Sequence, residues 1–397
     1  MSRSTHDAIV IGAGPAGSSA ALALARRGWR VAIVEKARFP RRKVCGEYVS
    51  AAAWPVLRAL GVADELEPRA GPAVRRVGLF AAHTVVDVAM PRAGLDWGRA
   101  LGRESLDAAL LEHARRAGAE VLQPWTVIEA RVSDEAAHLV VRSGDREREL
   151  RAPLAIAAHG SWEHGPLPTQ REREPHAPGD LLAFKARFVG ARLAAGLMPL
   201  VLFPGGYGGL VESDAGRVTF SCCVRRDALL RLRAAQPGAS AGEAVLAHVL
   251  ACSRGVRSAL GGAWREGAWL AAGPIRPGIR VRAPARVFAV GNAAGEAHPL
   301  VAEGIGMAIQ SAWLLGEALD EAGDRRDGAA LAGAARDYER RWRSQFAARV
   351  RASSLFAHAT RRAPAACVAL LGAAPAMLAW GARASGKSAP LPMADRP

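Results

Sequence analysis

Cysteine is scarce in this chain, and none of it is spaced to hold a metal. Cys45, Cys222, Cys223, Cys252 and Cys367 form no CxxC pair and no metal-ligand spacing, so no metal site is expected. Such usage fits a reduced, cytoplasmic protein. Lysine is nearly missing: Lys36, Lys43, Lys185 and Lys387 are all there is, and arginine supplies the rest of a formal charge of +16. No basic block alternates with aromatics and no nucleic-acid motif occurs, so a nucleic-acid partner is excluded. Arginine and alanine are abundant throughout, as genome composition bias produces. An uninterrupted membrane span is also missing. Ala363 to Ala382 has about the right length and hardly any charge, but it is dominated by Ala and Gly and broken by Pro364 and Pro375. It reads as one or two buried or interfacial helices. The first apolar run is no signal peptide, because it continues directly into a glycine loop.

That loop is the most informative feature present. Asp7 to Ile11 reads as a strand, Gly12-Ala13-Gly14-Pro15-Ala16-Gly17 as a tight turn, and Ser18 to Arg27 as a helix ended by Gly28. A second apolar run, Trp29 to Val34, stops on Glu35. This is the dinucleotide-binding fingerprint in its full context. Gly12 permits the turn, Gly14 lets backbone approach a pyrophosphate, and Gly17 lets helix and strand pack closely. The helix N-terminus offers free N–H groups and a positive dipole end to phosphate. Glu35 stands where a carboxylate can accept hydrogen bonds from a ribose.

The 397 residues suffice for two interleaved domains, and half of them are apolar, as in an ordinary globular enzyme. After a polar, Arg-rich loop, Ser50 caps a helix over Ala51 to Leu60. Strands are expected at Val74 to Phe80 and Thr84 to Met90, and an amphipathic helix from Arg103 to near Gly118. Val127 to Val132, Ala137 to Val141 and Glu147 to Ala152 alternate like a small antiparallel sheet. Leu154 to Ala158 is a short, continuously apolar run, typical of a buried parallel strand. Gly160 to Gly179 reads as a crossing between domains. Strands dominate Leu181 to Val224, with Cys222 and Cys223 pointing to opposite faces. Helices are expected at Ala241 to Cys252, Ile305 to Ala322, Ala330 to Phe356 and Pro364 to Ala382. A strand-rich block interrupting an α/β pattern implies a nucleotide domain built from separated segments.

A second glycine segment follows the strand Arg286 to Val290. Gly291-Asn292-Ala293-Ala294-Gly295 leads to His298-Pro299 and then to Glu303-Gly304-Ile305-Gly306-Met307. A helix starting there can stabilise negative charge on a bound ring.

With these residues in view, the chain resembles FAD-dependent oxidoreductases of the aromatic-hydroxylase and geranylgeranyl-reductase superfamily over nearly its whole length. Gly12 to Gly17, Arg103 with Leu106-Asp107 and Leu110, the Cys-Gly loop Arg41 to Glu47, and Val290 to Met307 carry the likeness. It implies an α/β fold: a discontinuous Rossmann-like FAD-binding domain (1–72, 98–175 and 270–325), an inserted mixed-sheet substrate domain (73–97 and 176–269) and C-terminal helices (326–397). The FAD contacts it implies are Gly12, Gly14, Pro15, Ala16, Gly17, Glu35, Lys36, Arg42, Cys45, Arg103, Val127, Gly291, Asn292, Pro299, Gly304, Ile305, Gly306 and Met307. Glu35 then becomes the ribose acceptor of that FAD. Asn292 stands where the family usually has aspartate; it can still accept through its amide oxygen. The family's DG motif for NADPH is not evident at Ala158-His159-Gly160-Ser161-Trp162. The Trp-x-Trp-x-Ile-Pro motif of flavin halogenases is missing, which speaks against halogenation.

Cys45, His298 and Tyr207 are the candidate catalytic residues. Cys45 either touches flavin or substrate or is a buried turn thiol. Glu47 is a proton donor, an anchor or a surface carboxylate. His298 is an acid, a base or a loop histidine satisfied by backbone; His159 reads as structural. Glu303 is explained as well by capping as by chemistry. Tyr207, in the glycine-rich turn after Phe203-Pro204, either orients a flat substrate or belongs to a plain hairpin. Trp264, Trp269 and Trp313 read as core. Arg340 to Arg351 is a solvated face or a dock for lipid or a carrier-bound substrate, and the basic surface also attracts NADPH. The leading expectation is an NAD(P)H- and O₂-dependent monooxygenase of an aromatic or polyketide-like metabolite. A reductase of isoprenoid double bonds, with a prenyl substrate, is the second, and a flavin-binding partner protein without turnover the third.

Overall fold

The computed structural model describes residues 6–94, 96–170, 174–282 and 286–392. Two large sheets organise it. The first is five-stranded and wholly parallel, in the order Val287–Ala289, Leu154–Ala157, Ala8–Ile11, Val31–Val34, Glu120–Leu122. Its three central strands are buried along their whole length, as strands covered on both faces must be. The helix Pro15–Ala25 is buried at every residue. Its run of Ala and Gly lets Gly304–Glu321 and Arg103–Arg116 pack close on either side. The strand order reverses at Ala8–Ile11, so the loop after Ile11 opens at the switch point where such sheets bind ligands.

The second sheet has seven strands, in the order Trp264–Ile275, Leu181–Val189, Val218–Arg225, Gly206–Glu212, Leu197–Phe203, Arg76–Ala81, Thr84–Ala89. Only Leu197–Phe203 and Arg76–Ala81 pair in parallel. One face, with Phe184, Phe220 and Cys222, packs against the helices Ala241–Cys252 and Arg254–Leu260. The other, with Ala183, Tyr207 and Cys223, meets Leu371 and Leu378 from the C-terminus. Cys222 and Cys223 thus serve opposite faces, as their adjacency requires. The fold is the expected α/β arrangement of a Rossmann-like parallel sheet and a mixed sheet.

Several local expectations are corrected. Ser50 makes no capping bond; the segment opens as a short 3₁₀ turn, Ala51–Ala53, and the α-helix is confined to Trp54–Ala59. Pro55 in the first turn has no N–H to continue the ladder from the turn before it. Of the arrangements expected for Ala363 to Ala382, the chain takes two helices rather than one, and they are not buried. Pro364–Ala373 and Ala376–Ala384 are bent by 111° at the break before Pro375, and most of their residues are exposed. Among the described residues no single helix is long and apolar enough to cross a membrane. Trp264 is 59% exposed rather than core, because it starts the edge strand, whereas Trp269 lies edge-on to Phe188 and Phe220. Arg340 to Arg351 divides by helix face. Arg341 and Arg343 pair with Asp337 and Glu339, while Arg349 is buried against Gln310 and Ala389.

Candidate FAD and substrate site

One cavity of about 760 Å³ runs from the first glycine loop to the C-terminal helix pair. At the loop end, Ile11, Gly12, Gly14, Pro15 and Ala16 form the wall. The close packing there leaves no room for side chains. A Cβ on Gly12 would stand 2.6 Å from the Ala158 carbonyl oxygen, and one on Gly17 1.8 Å from the Gly12 oxygen. Glu35 shapes the loop from behind: its carboxylate accepts from the Ala13 N–H at 2.8 Å and from the Ala37 N–H at 2.8 Å. It also reaches the cavity wall, where the expected ribose contact would be made.

Two guanidinium groups line the same end. Arg103, at the start of its helix, makes a two-pronged bond to the fully buried Asp107 at 2.7 and 2.8 Å. Its terminal nitrogen comes within 3.6 Å of where a Gly14 Cβ would be. Arg41 sits 3.5 Å from Glu35 and 3.6 Å from Asp107, and its Nε and Nη1 are buried without a partner. A narrow glycine cradle beside unsatisfied guanidinium N–H groups is what a pyrophosphate requires, so the residues fit the expected FAD.

The structure exchanges one residue here. Arg41 lies on the wall, whereas Arg42 turns to the second sheet, toward Glu104 and the Ala268 carbonyl. Lys36, Cys45, Val127, Asn292, Pro299, Gly304 and Ile305 are on the wall as well. Gly17, Gly291, Gly306 and Met307 lie behind it. A Cβ on Gly291 would meet Ala16 at 2.7 Å and one on Gly306 would meet Ser50 at 2.5 Å, so both glycines serve packing. Asn292 gives its amide N–H to Glu296 at 3.1 Å, which leaves its oxygen as the acceptor it can offer a ribityl chain. The described part of the Gly160 to Gly179 crossing closes over this end. Glu163 there bridges Lys36 at 2.6 Å and Lys43 at 3.2 Å. Burial pushes the Lys43 ammonium down, and Glu163 partly offsets this. His159 also reaches the wall, bonded to Thr169 at 2.8 Å; burial pushes its pKa down to about 4.

Glu47 is no surface carboxylate. It is fully buried, in the left-handed region at φ 61°, and binds Lys185, Arg187 (2.6 Å), Thr219 (2.5 Å) and the Arg103 N–H (3.1 Å). Burial alone would raise its pKa; Lys185 and Arg187 hold it below the usual value. These ties fix the Cys45-Gly46 loop to the second sheet. Cys45 lies on the wall, accepts the Glu47 N–H at 3.3 Å and has Arg103 beside it. Neither Lys185 nor Arg187 follows from a motif; a lone lysine in the apolar run Leu181 to Val189 is the one signal in the chain that points there. Glu303 makes no capping bond but is buried and paired with Lys387 at 3.0 Å, so the C-terminal tail supplies its counter-charge.

At the far end the wall turns apolar, with Met198, Leu200, Leu210, Leu300, Phe356 and Leu378 on it. Tyr207 lies on this chamber's lining, its hydroxyl against the Cys223 thiol. His298 stands behind Tyr207, ring centroids 5.0 Å apart, its backbone N–H on Ser353 and its Nδ1 unpartnered. Burial, with Arg361 assisting, pushes its pKa down to about 4, so the imidazole is neutral at pH 7. Burial also keeps Tyr207 a neutral phenol.

The shift of His298 has a measurable consequence. The unfolded chain takes up this proton below about pH 6.5, but the folded one does so only near pH 4, so stability falls as pH drops through that window. From pH 7.5 to pH 5 this residue accounts for a loss of about 2 kcal/mol. Urea melts of FAD-loaded protein at the two pH values should therefore differ less in His298→Gln, by about that amount.

Comparison with known proteins agrees with the geometry. Residues 5–174 match the family of the FAD binding domain. Menaquinone reductase of Mycolicibacterium smegmatis is 36% identical over 126 residues, 31% of this chain and 30% of that protein. Digeranylgeranylglycerophospholipid reductase of Methanosarcina mazei is 32% identical over 167 residues, 39% of this chain and 38% of the other. The matches thus span about a third of these relatives' length. A flavin-dependent brominase superposes with a TM-score of 0.73 at 18% identity, covering 96% of this chain and 93% of the other. Pseudomonas aeruginosa PqsL, solved with 2-aminobenzoylacetate, gives 0.69 at 21%, covering 90% and 96%. The matched domain makes residues 5–174 an FAD binding domain, and the superposed structures share the fold of nearly the whole chain; both fit the FAD-dependent oxidoreductase resemblance.

Proposed function

We propose that the protein is an NAD(P)H- and O₂-dependent FAD monooxygenase that hydroxylates an aromatic or polyketide-like molecule carrying an apolar extension. The observation that carries this reading is the buried Tyr207 hydroxyl on the wall of the chamber's largely apolar far end, with the His298 ring packed behind it. FAD, when bound, supplies the passage of reducing equivalents from NAD(P)H to O₂ and of one oxygen atom to the substrate. The chain's own work is positioning. Arg41 and Arg103 neutralise the pyrophosphate, and the ties of Glu47 hold the Cys45 loop. Tyr207 donates a hydrogen bond to a substrate oxygen, and His298 packs behind it as a neutral imidazole. The apolar walls exclude water from the reacting ring.

Reduction of an isoprenoid double bond is the second reading, favoured by the aliphatic lining that the C-terminal helices contribute and by Cys45 on the wall. Stopped-flow mixing separates the readings. Anaerobic NADPH or NADH should bleach the flavin, and O₂ should then yield hydroxylated product from a long-chain phenol. Bleaching followed by saturation of a prenyl substrate without O₂ would favour the reductase. If no nicotinamide or other reduced donor bleaches the flavin, both enzymatic readings fail and a partner protein without turnover remains. Tyr207→Phe should lower kcat/KM for the hydroxylated substrate about tenfold, the worth of one hydrogen bond in a dry site, with flavin reduction unchanged.

A further inference from the structure

We propose that the C-terminal helix pair docks the protein on a membrane surface containing anionic phospholipid, with the mouth of the substrate chamber facing the acyl chains. The pair is bent by 111° and groups several large apolar side chains left uncovered. Trp380 is 68% exposed, Leu370 53% and Met377 38%, and Leu355 on the preceding helix is 72% exposed. Soluble surfaces seldom group such residues, and a bent, apolar helix pair lying in the interface is one way to bury them.

Charge decides what covers this face. No Asp or Glu occurs between Glu339 and Asp395, while Arg351, Arg361, Arg362 and Arg383 are exposed around the pair. An apolar strip whose own stretch of chain carries exposed arginines and no acid, with the nearby Asp87 already paired to Arg76, matches a bilayer with anionic headgroups, where each cation adds attraction and Trp prefers the headgroup level. A second copy of the chain would bring a like-charged rim against this one, so self-association is the poorer match.

The chamber supplies an independent observation. Leu355, Met377 and Trp380 also line the cavity, so one side of the exposed strip is the wall of the substrate path. A lipophilic molecule could pass from the acyl region to Tyr207 without crossing water. The inference does not depend on the reaction class, because it is read by binding without turnover.

The test is vesicle binding by the full-length, FAD-loaded protein. It should sediment with phosphatidylcholine vesicles containing phosphatidylglycerol, far less with phosphatidylcholine alone, and less again as salt is raised. Leu370→Ser with Trp380→Ser should weaken partitioning about tenfold or more, since both side chains are buried only in the docked state. Arg361→Glu with Arg362→Glu should remove the preference for anionic vesicles. Circular dichroism and FAD content check that the variants fold. Equal sedimentation of wild type and both variants, or none with anionic vesicles, overturns the proposal. So does a dimer in solution that the apolar variant turns into monomer, because the face then belongs to a second copy. Loss of hydroxylation with vesicle binding intact would count against the proposed reaction only.

Discussion

Glu47→Gln should destabilise the protein by about 3–5 kcal/mol, the largest effect expected of any isosteric change in this chain. The carboxylate is fully buried and is the common acceptor of Lys185, Arg187 and Thr219. An amide in its place keeps the shape but removes the charge that both cations face. Arg187 retains Glu104 at 2.6 Å, whereas Lys185, itself fully buried, is left with the Lys43 carbonyl. The uncompensated ammonium in a dry site is therefore the main penalty. A strained backbone adds to it: Glu47 holds φ 61° only while its side chain is held by all its partners. The check is a double-mutant cycle read by urea unfolding. Lys185→Met on the Glu47→Gln background should recover much of the loss, because it removes the stranded charge. A single-mutant loss under about 1 kcal/mol would mean that the charge pair does not hold this loop. Because the same ties position Cys45 and the Arg103 backbone, the variant should also release FAD more readily.

Glu47 also marks what a sequence can and cannot disclose. Four strands of the parallel sheet are legible because they are short, continuously apolar runs, whereas Glu120–Leu122, which starts on a charged residue, is not. The partner of Glu47 lies 138 residues away, and nothing local to Cys45-Gly46-Glu47 points to Lys185. Tyr207 and His298 could each be singled out, but their contact depends on how the second sheet meets the loop before Gly304–Glu321. Arg41 and Arg42 are indistinguishable by composition; a turn sends one to the cavity and its neighbour to the other sheet. The C-terminal run Ala363 to Ala382 could be buried or interfacial by sequence, because hydropathy counts residues without knowing whether a partner surface exists. Its proline break and its position at the chamber mouth leave it uncovered instead.

Gly17→Ala should weaken FAD binding about a hundredfold or more while changing no group that touches the cofactor. Gly17 lies behind the cavity wall. Its missing side chain is space taken by the Gly12 carbonyl oxygen, 1.8 Å from where the methyl carbon would be, and by the Ala158 side chain at 3.0 Å. Neither neighbour is a flexible tip. The Gly12 carbonyl belongs to the turn at φ 102°, and Ala158 follows a central strand, so relief means moving the helix off the sheet or opening the loop. Overpacking of this kind costs roughly 3 kcal/mol, and since the displaced atoms form the pyrophosphate cradle, most of that should appear as lost affinity. About 3 kcal/mol corresponds to somewhat more than a hundredfold in the dissociation constant. Fluorescence titration of the apoprotein with FAD measures it directly, and far-ultraviolet circular dichroism reports whether the fold survives. The parallel sheet and its helices bury a large continuous core, so the variant should stay folded and lose the cofactor first. Unchanged FAD affinity would show that the helix has room to shift, and that the glycine loop is less tightly built than its geometry indicates. Arg41→Ala is the companion variant: it removes a group on the wall and leaves the backbone alone. Its loss of affinity should fall as salt rises, as charge contacts do, whereas that of Gly17→Ala should not.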